Sequence, residues 1–157
     1  MIEFEDAGRA PLMPQTPSMS ADDYRALARF RFLIRHFLKA SEHLADERGL
    51  TPQQYQALVA LAGRDPADLP TVGYLAERLM IKHHSAVGLV DRLEAQGLVR
   101  RESNPGDRRQ VLVRLTDHGG DLLADLASSH RRELRSLAPH LVTALSEIAR
   151  ETGGELA

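Results

Sequence analysis

Between Asn104 and Gly119 the chain reads NPGDRRQVLVRLTDHG, and the groups in it that can do chemistry are charged. Asp107, Arg108 and Arg109 follow directly on a Pro-Gly pair. Two readings of these arginines compete. In one they are solvated turn residues of an ordinary β-hairpin; in the other the hairpin is a wing that presses an arginine against a nucleic-acid backbone. A second constellation lies upstream, where His84, Ser85, Gly88, Asp91 and Arg92 share the outer face of a helical segment. Short or polar groups at that spacing leave a helix backbone open to a flat partner.

These residues must be placed by elements whose boundaries are written in the sequence. Ser20 and Asp23 form the Ser-x-x-Asp pattern of a helix start. The apolar period Tyr24, Leu27, Phe30, Ile34, Phe37 and Leu38, widened by Phe32 and Leu33, predicts a helix of nearly thirty residues (about 1.5 Å each) stopped by Gly49. That is longer than a small core needs and suggests a partner subunit. Thr51-Pro52-Gln53-Gln54 starts a second helix ending near Gly63, and Thr71 caps a third that carries Leu75, Leu79 and Met80 and stops around Ile81. A fourth runs from about His83 to Gln96, with Ala86, Leu89, Val90 and Leu93 inward and Gly97 as its stop.

Two short strands follow, Leu98 to Glu102 and Gln110 to Leu115, joined by the Asn-Pro-Gly-Asp turn. Helical spacing returns at Thr116, and Pro139 is expected to divide what remains into two helices. The resulting fold class is mainly α with a small β-hairpin wing: a winged helix-turn-helix over 50–117, flanked by a dimerisation helix over 20–49 and dimerisation helices over 118–157. Residues 1–19, acidic and carrying Pro11, Pro14 and Pro17, are expected to form a disordered tail.

At 157 residues with net charge −2 and pI near 6.4, the chain is one domain without a global basic signal, so nucleic-acid binding must rest on a local patch. That patch is the hairpin. Residues 98–114 hold five arginines against Glu102 and Asp107, a local charge of +3, whereas residues 1–20 and 118–157 each carry −2. Such placement puts attraction where a phosphate backbone would be met and predicts strong salt sensitivity. The absence of cysteine excludes disulfides and thiolate metal sites. With no signal peptide and no apolar run of membrane length, the expected location is the cytoplasm, with no membrane partner.

From Leu50 to Gly119 the chain resembles the MarR (multiple antibiotic resistance regulator) family of winged helix-turn-helix repressors. The most specific match is the wing, where Asp107, Arg109, Val113, Leu115 and Thr116 fit D-x-R-x-x-x-V-x-L-T; LAERL and LVDRLEAQGLV support it. The resemblance implies a homodimer on a palindromic double-stranded DNA operator, recognition helices in major grooves and wing tips in minor grooves. By position Arg109 becomes the wing arginine and Asp107 the carboxylate that orients it, with Arg108 directed to phosphate. A weakly hydrated guanidinium suits a narrow A·T-rich minor groove.

Where many members carry a Thr-Arg pair, this chain has Val87-Gly88, so base contact falls to Lys82, His83, His84 and Ser85 at the entering end of the helix. Gly88 is either kept for close backbone approach or merely tolerated. Release by a lipophilic or phenolic anion is also implied by the resemblance; Arg35 and Phe37 are the candidates for lining its cleft.

Other classes fare worse. No nucleophile elbow, zinc-protease motif or phosphate loop is present, so an enzyme is not expected, and no cofactor is called for. Adjacent His83 and His84 point about 100° apart, and His36 and His43 lie two turns apart, which disfavours a metal-responsive regulator. A winged-helix adaptor that binds only protein would have no use for the Asp107–Arg109 tip.

Overall fold

The computed structural model describes residues 19–150; apart from Met19, the expected N-terminal tail lies outside them, as does 151–157. The described chain runs α1 (Ala21–Asp46), α2 (Pro52–Ala62), α3 (Val72–Arg78), α4 (His83–Ala95), β1 (Val99–Asn104), β2 (Asp107–Leu115) and α5 (Asp117–Ala149). The first two caps form as the sequence requires. Ser20 Oγ accepts from Asp23 N at 3.2 Å, and the Asp23 carboxylate accepts from Ser20 N at 2.7 Å. Thr51 and Gln54 repeat that exchange, and the buried Gln54 also donates to Gln96 Oε1 at 3.0 Å, tying the start of α2 to the end of α4.

Apolar faces of α2, α3, α4, the hairpin and α5 converge on one core, in which Leu58, Leu75, Leu89, Leu93, Val113 and Leu126 are almost completely buried. A smaller cluster of Leu33, Leu137 and Ala144, with Phe30, Phe37 and Leu141 against it, joins α1 to the distal half of α5. The hairpin also gains an edge from outside itself: Val113 N donates to Pro70 O at 2.7 Å, and Thr71 bridges to Leu112. The start of the helix-turn-helix is thereby stitched to the wing.

Three expectations need correction. Pro139 does not divide the C-terminal segment, which is a single 33-residue helix with the proline inside it. Pro139 offers no N–H to the Arg135 carbonyl, but both residues are exposed, so water can satisfy that oxygen and the helix continues.

Nor does the third helix reach Met80. It ends at Arg78, and Met80 takes φ +52° with its side chain 92% exposed. Ile81 N donates to Ala76 O and Met80 N to Glu77 O, the same pair of closing bonds that Leu50 and Gly49 make at the end of α1. A left-handed residue other than glycine costs about 1–2 kcal/mol, and Met80 bears that cost to make the turn into α4. Finally, α1 has 26 residues, ending at Asp46 before Gly49 turns the chain at φ +72°.

Candidate nucleic-acid interface

Helix α4, the expected recognition helix, presents its N-terminus without a side-chain cap. Its N-cap is Lys82, whose side chain makes no capping hydrogen bond, so the first amides are free for an anionic partner. Lys82, His83, His84 and Ser85 are all exposed there, while Ala86, Leu89, Val90 and Leu93 hold the opposite face in the core.

One turn on, the Arg92 guanidinium folds back over Gly88: a Cβ on Gly88 would stand 3.5 Å from Arg92 Nη1, an ordinary contact. Alanine therefore fits, and a helical glycine is about 0.5–1 kcal/mol less favourable than alanine. Gly88→Ala is expected to raise the thermal midpoint while weakening DNA binding, because the added methyl stands between the helix backbone and the groove. Calorimetry and a binding titration check the two halves separately; higher melting with unchanged binding would mean that the glycine is merely tolerated.

The wing tip is built by an irregular register. Ser103 pairs with Val111 and Asn104 with Asp107, so Arg108, Arg109 and Gln110 are extruded from the ladder. Side chains hold this bulge in shape. Asn104 Oδ1 accepts from Gly106 N at 3.0 Å, and Asn104 Nδ2 donates to Gln110 Oε1 at 2.8 Å. The Asp107 carboxylate accepts from Arg109 N at 3.0 Å, from its Nε at 3.1 Å and from its Nη2 at 3.3 Å.

The Arg109 side chain is nevertheless 91% exposed: bracketed, not buried. These bonds, from the guanidinium and then from the Arg109 amide, hold the Asp107 carboxyl below its ordinary value. A depressed carboxyl keeps its bonds at every pH above the usual carboxylate range and loses them only as pH falls through the depressed value. The bracket therefore persists through neutral and mildly acidic conditions.

Most of the hairpin's positive charge is committed internally. Arg100 pairs with Glu102 at 2.7 Å, Arg114 reaches the same carboxylate at 3.6 Å, and Arg101 crosses to α4, where it meets Asp91 and Glu94. Among the described residues Arg108 alone of the five hairpin arginines faces no carboxylate, as suits a phosphate contact. Sequence reading missed Arg101, along with Asn104 and Gln110 as builders of the tip. The available signal was Asp91 and Glu94, one turn apart on α4, with a basic strand just beyond Gly97.

The two residues proposed for an effector cleft are not brought together. Arg35 is exposed, whereas Phe37 faces inward, its ring 6.5 Å from that of His130. His130 is 4% exposed, stacks on Tyr55 at 4.5 Å, and has no hydrogen-bond partner for either ring nitrogen among the described residues. A separate cavity of about 420 Å³ between the start of α1 and the end of α5 is lined mainly by Asp22, Asp23, Arg25, Arg29, Glu147 and Arg150. Its mixed charges do not suit a lipophilic anion. Among the described residues no three His, Asp or Glu side chains converge as a metal site, and no helix is long and apolar enough to cross a membrane.

Comparison with known proteins gives this arrangement its relatives. Residues 48–110 match the MarR family model. Over 109 residues the chain is 32% identical to YkoM, an uncharacterized HTH-type transcriptional regulator of Bacillus subtilis, covering 68% of this chain and 69% of that one. The chain belongs to the MarR family.

Among solved structures this MarR-family chain is similar to AbsC, a MarR family transcriptional regulator from Streptomyces coelicolor, with TM-score 0.67 and 26% identity over 86% of this chain and 94% of the other. It is also similar to Sco3205 from the same organism, solved in complex with DNA, with TM-score 0.65 and 25% identity over 88% and 89% of the two chains. Membership makes the MarR-family chain a transcriptional regulator and not an enzyme.

Proposed function

We propose that the protein is a repressor that binds a palindromic operator as a homodimer and leaves it when a lipophilic or phenolic anion binds. The observation that carries the DNA reading is the extruded tip, where Arg109 is almost fully exposed yet held by Asp107. An aimed and solvated guanidinium suits a narrow minor groove. His83, His84 and Ser85 at the open end of α4 suit base edges in the major groove, with Arg108, Arg92 and Lys82 available to phosphate. The solved DNA complex of Sco3205 supports the same reading.

For the dimer the support is apolar surface left without cover. Tyr24, Phe32 and Leu38 on α1, and Leu134, Val142 and Leu145 on α5, are exposed, and all lie on the elements outside the winged unit. For effector release the support is His130, whose nitrogens are unpartnered among the described residues and whose ring stacks on Tyr55 of α2 and meets Phe37 of α1 edge-on, where terminal helices and winged unit meet. A buried imidazole with unpartnered nitrogens beside two aromatic rings offers the hydrogen bond and the apolar contact that a phenolic anion would use.

The test is a mobility shift of the purified protein on the DNA upstream of its own gene, with and without Arg109→Ala, at two salt concentrations. Specific, salt-sensitive binding that the variant loses supports the reading. Specific binding that the variant keeps retains the DNA-binding reading and discards the wing role, whereas no preference over unrelated duplex favours the adaptor reading.

A further inference from the structure

We propose that Arg101 is a positioning residue that sets the wing against the recognition helix and masks the Asp91 carboxylate from DNA. The inference rests on the DNA-binding reading and adds to it a residue that touches no base. Arg101 lies on β1, yet its guanidinium spans two carboxylates of α4: Nη2 meets Asp91 Oδ1 at 2.6 Å and Nη1 meets Glu94 Oε2. Glu94 answers by accepting the Arg101 main-chain N–H on its other oxygen at 3.0 Å. Strand and helix are thus joined through both main chain and side chain, on the far side of the Gly97 turn.

The electrostatic half of the role follows from where Asp91 stands. It shares the outer face of α4 with His84, Gly88 and Arg92 and is itself exposed, whereas the Arg101 side chain is mostly covered. A bare carboxylate on that face would repel phosphate across a major groove. Lysine could not replace the clamp, since only a planar fork reaches both carboxylates at once. Arg101 therefore differs from Arg108, whose charge is free for phosphate.

The test uses a duplex that the wild-type protein recovers from a random-sequence pool, with affinity read by titration and contacts by hydroxyl-radical footprinting. Arg101→Gln is expected to bind on the order of tenfold more weakly. It should also lose protection of the flanking minor grooves while keeping the central protection given by α4. Adding Asp91→Asn to that variant should recover the part of the affinity lost to the bare carboxylate, while the flanks stay unprotected and the share of the wing contacts stays lost, a coupling that a double-mutant cycle resolves.

Wild-type affinity and intact flanks in Arg101→Gln would overturn the proposal. So would a double variant that binds no better than Arg101→Gln, which would place Arg101 on phosphate. Should Arg101→Gln fail to fold, Arg101→Lys keeps the charge and should bind about as weakly as Arg109→Ala, with unprotected flanks; intact flanks in that variant would again overturn the role. Should the wild-type protein recover no duplex, the DNA-binding reading fails, and the clamp is judged by amide exchange. In that case Arg101→Gln or Arg101→Lys must speed exchange along β1, and unchanged exchange would dismiss the clamp.

Discussion

Arg109→Ala is expected to weaken operator binding at least tenfold, since each groove contact of this kind is worth ~1–3 kcal/mol and the proposed dimer would lose two. The loss should be greatest on duplexes with A·T-rich flanks and should shrink on sites whose flanking minor groove is wide. Asp107→Asn separates charge from aim. It keeps the Arg109 cation but removes the anionic acceptor of three hydrogen bonds, so its effect should be smaller and should add little to that of Arg109→Ala.

The pH behaviour follows from the same bonds. Because the Asp107 carboxyl is held below its ordinary value, wild-type binding should show no transition from this group between pH 5 and 8 (roughly the range in which an unperturbed histidine changes charge). A carboxyl titration followed by NMR checks the direction of the shift.

Gly119→Ala is expected to cost ~3 kcal/mol or more, at the top of the range for overpacking. A Cβ at this position would lie 2.0 Å from the Leu98 carbonyl oxygen and 2.9 Å from its carbon. Neither atom can retreat cheaply, because the same carbonyl accepts Thr116 N at 3.1 Å and Gly119 N is itself held by Thr116 Oγ1 at 3.0 Å. For a chain of this size the thermal midpoint should fall by roughly 6–12 °C. Gly120, one residue on, has open space around its Cβ position, so Gly120→Ala is the matched control and should melt close to wild type.

Much of this was legible in the residues. Ser20, Thr51 and Thr71 announce their helices because capping is local chemistry, and the structure places each at the position expected of it. The hairpin was legible from its Pro-Gly turn, and the wing pair from Asp107 and Arg109. What stayed hidden depends on contacts that sequence spacing does not record. Pro139 carries a strong local stop signal, yet at an exposed stretch, where water can serve the carbonyl it leaves unpaired, α5 runs on. Met80 reads as the next apolar residue of α3 but turns left-handed and outward. The Arg101 clamp joins residues seven and ten positions apart across a turn, a separation with no period to betray it. The register slip that extrudes Arg108 to Gln110 likewise depends on how Asn104 and Asp107 bond, which composition cannot state.

Thr116 is the only residue between the end of β2 and the start of α5, and it is pinned on both sides: its hydroxyl donates to Gly97 O at 2.6 Å while capping α5. There is no joint at this point. Wing, end of recognition helix and α5 must swing together, like the head and shaft of a lever. A helix of this length extends about 50 Å, so a tilt of about five degrees at its far end carries the head through about 4 Å. That exceeds the roughly 3.4 Å rise of one base pair. In the proposed dimer the angle at which two such shafts cross would act as a caliper for the gap between half-sites, so that a small change in crossing angle misplaces both reading heads at once.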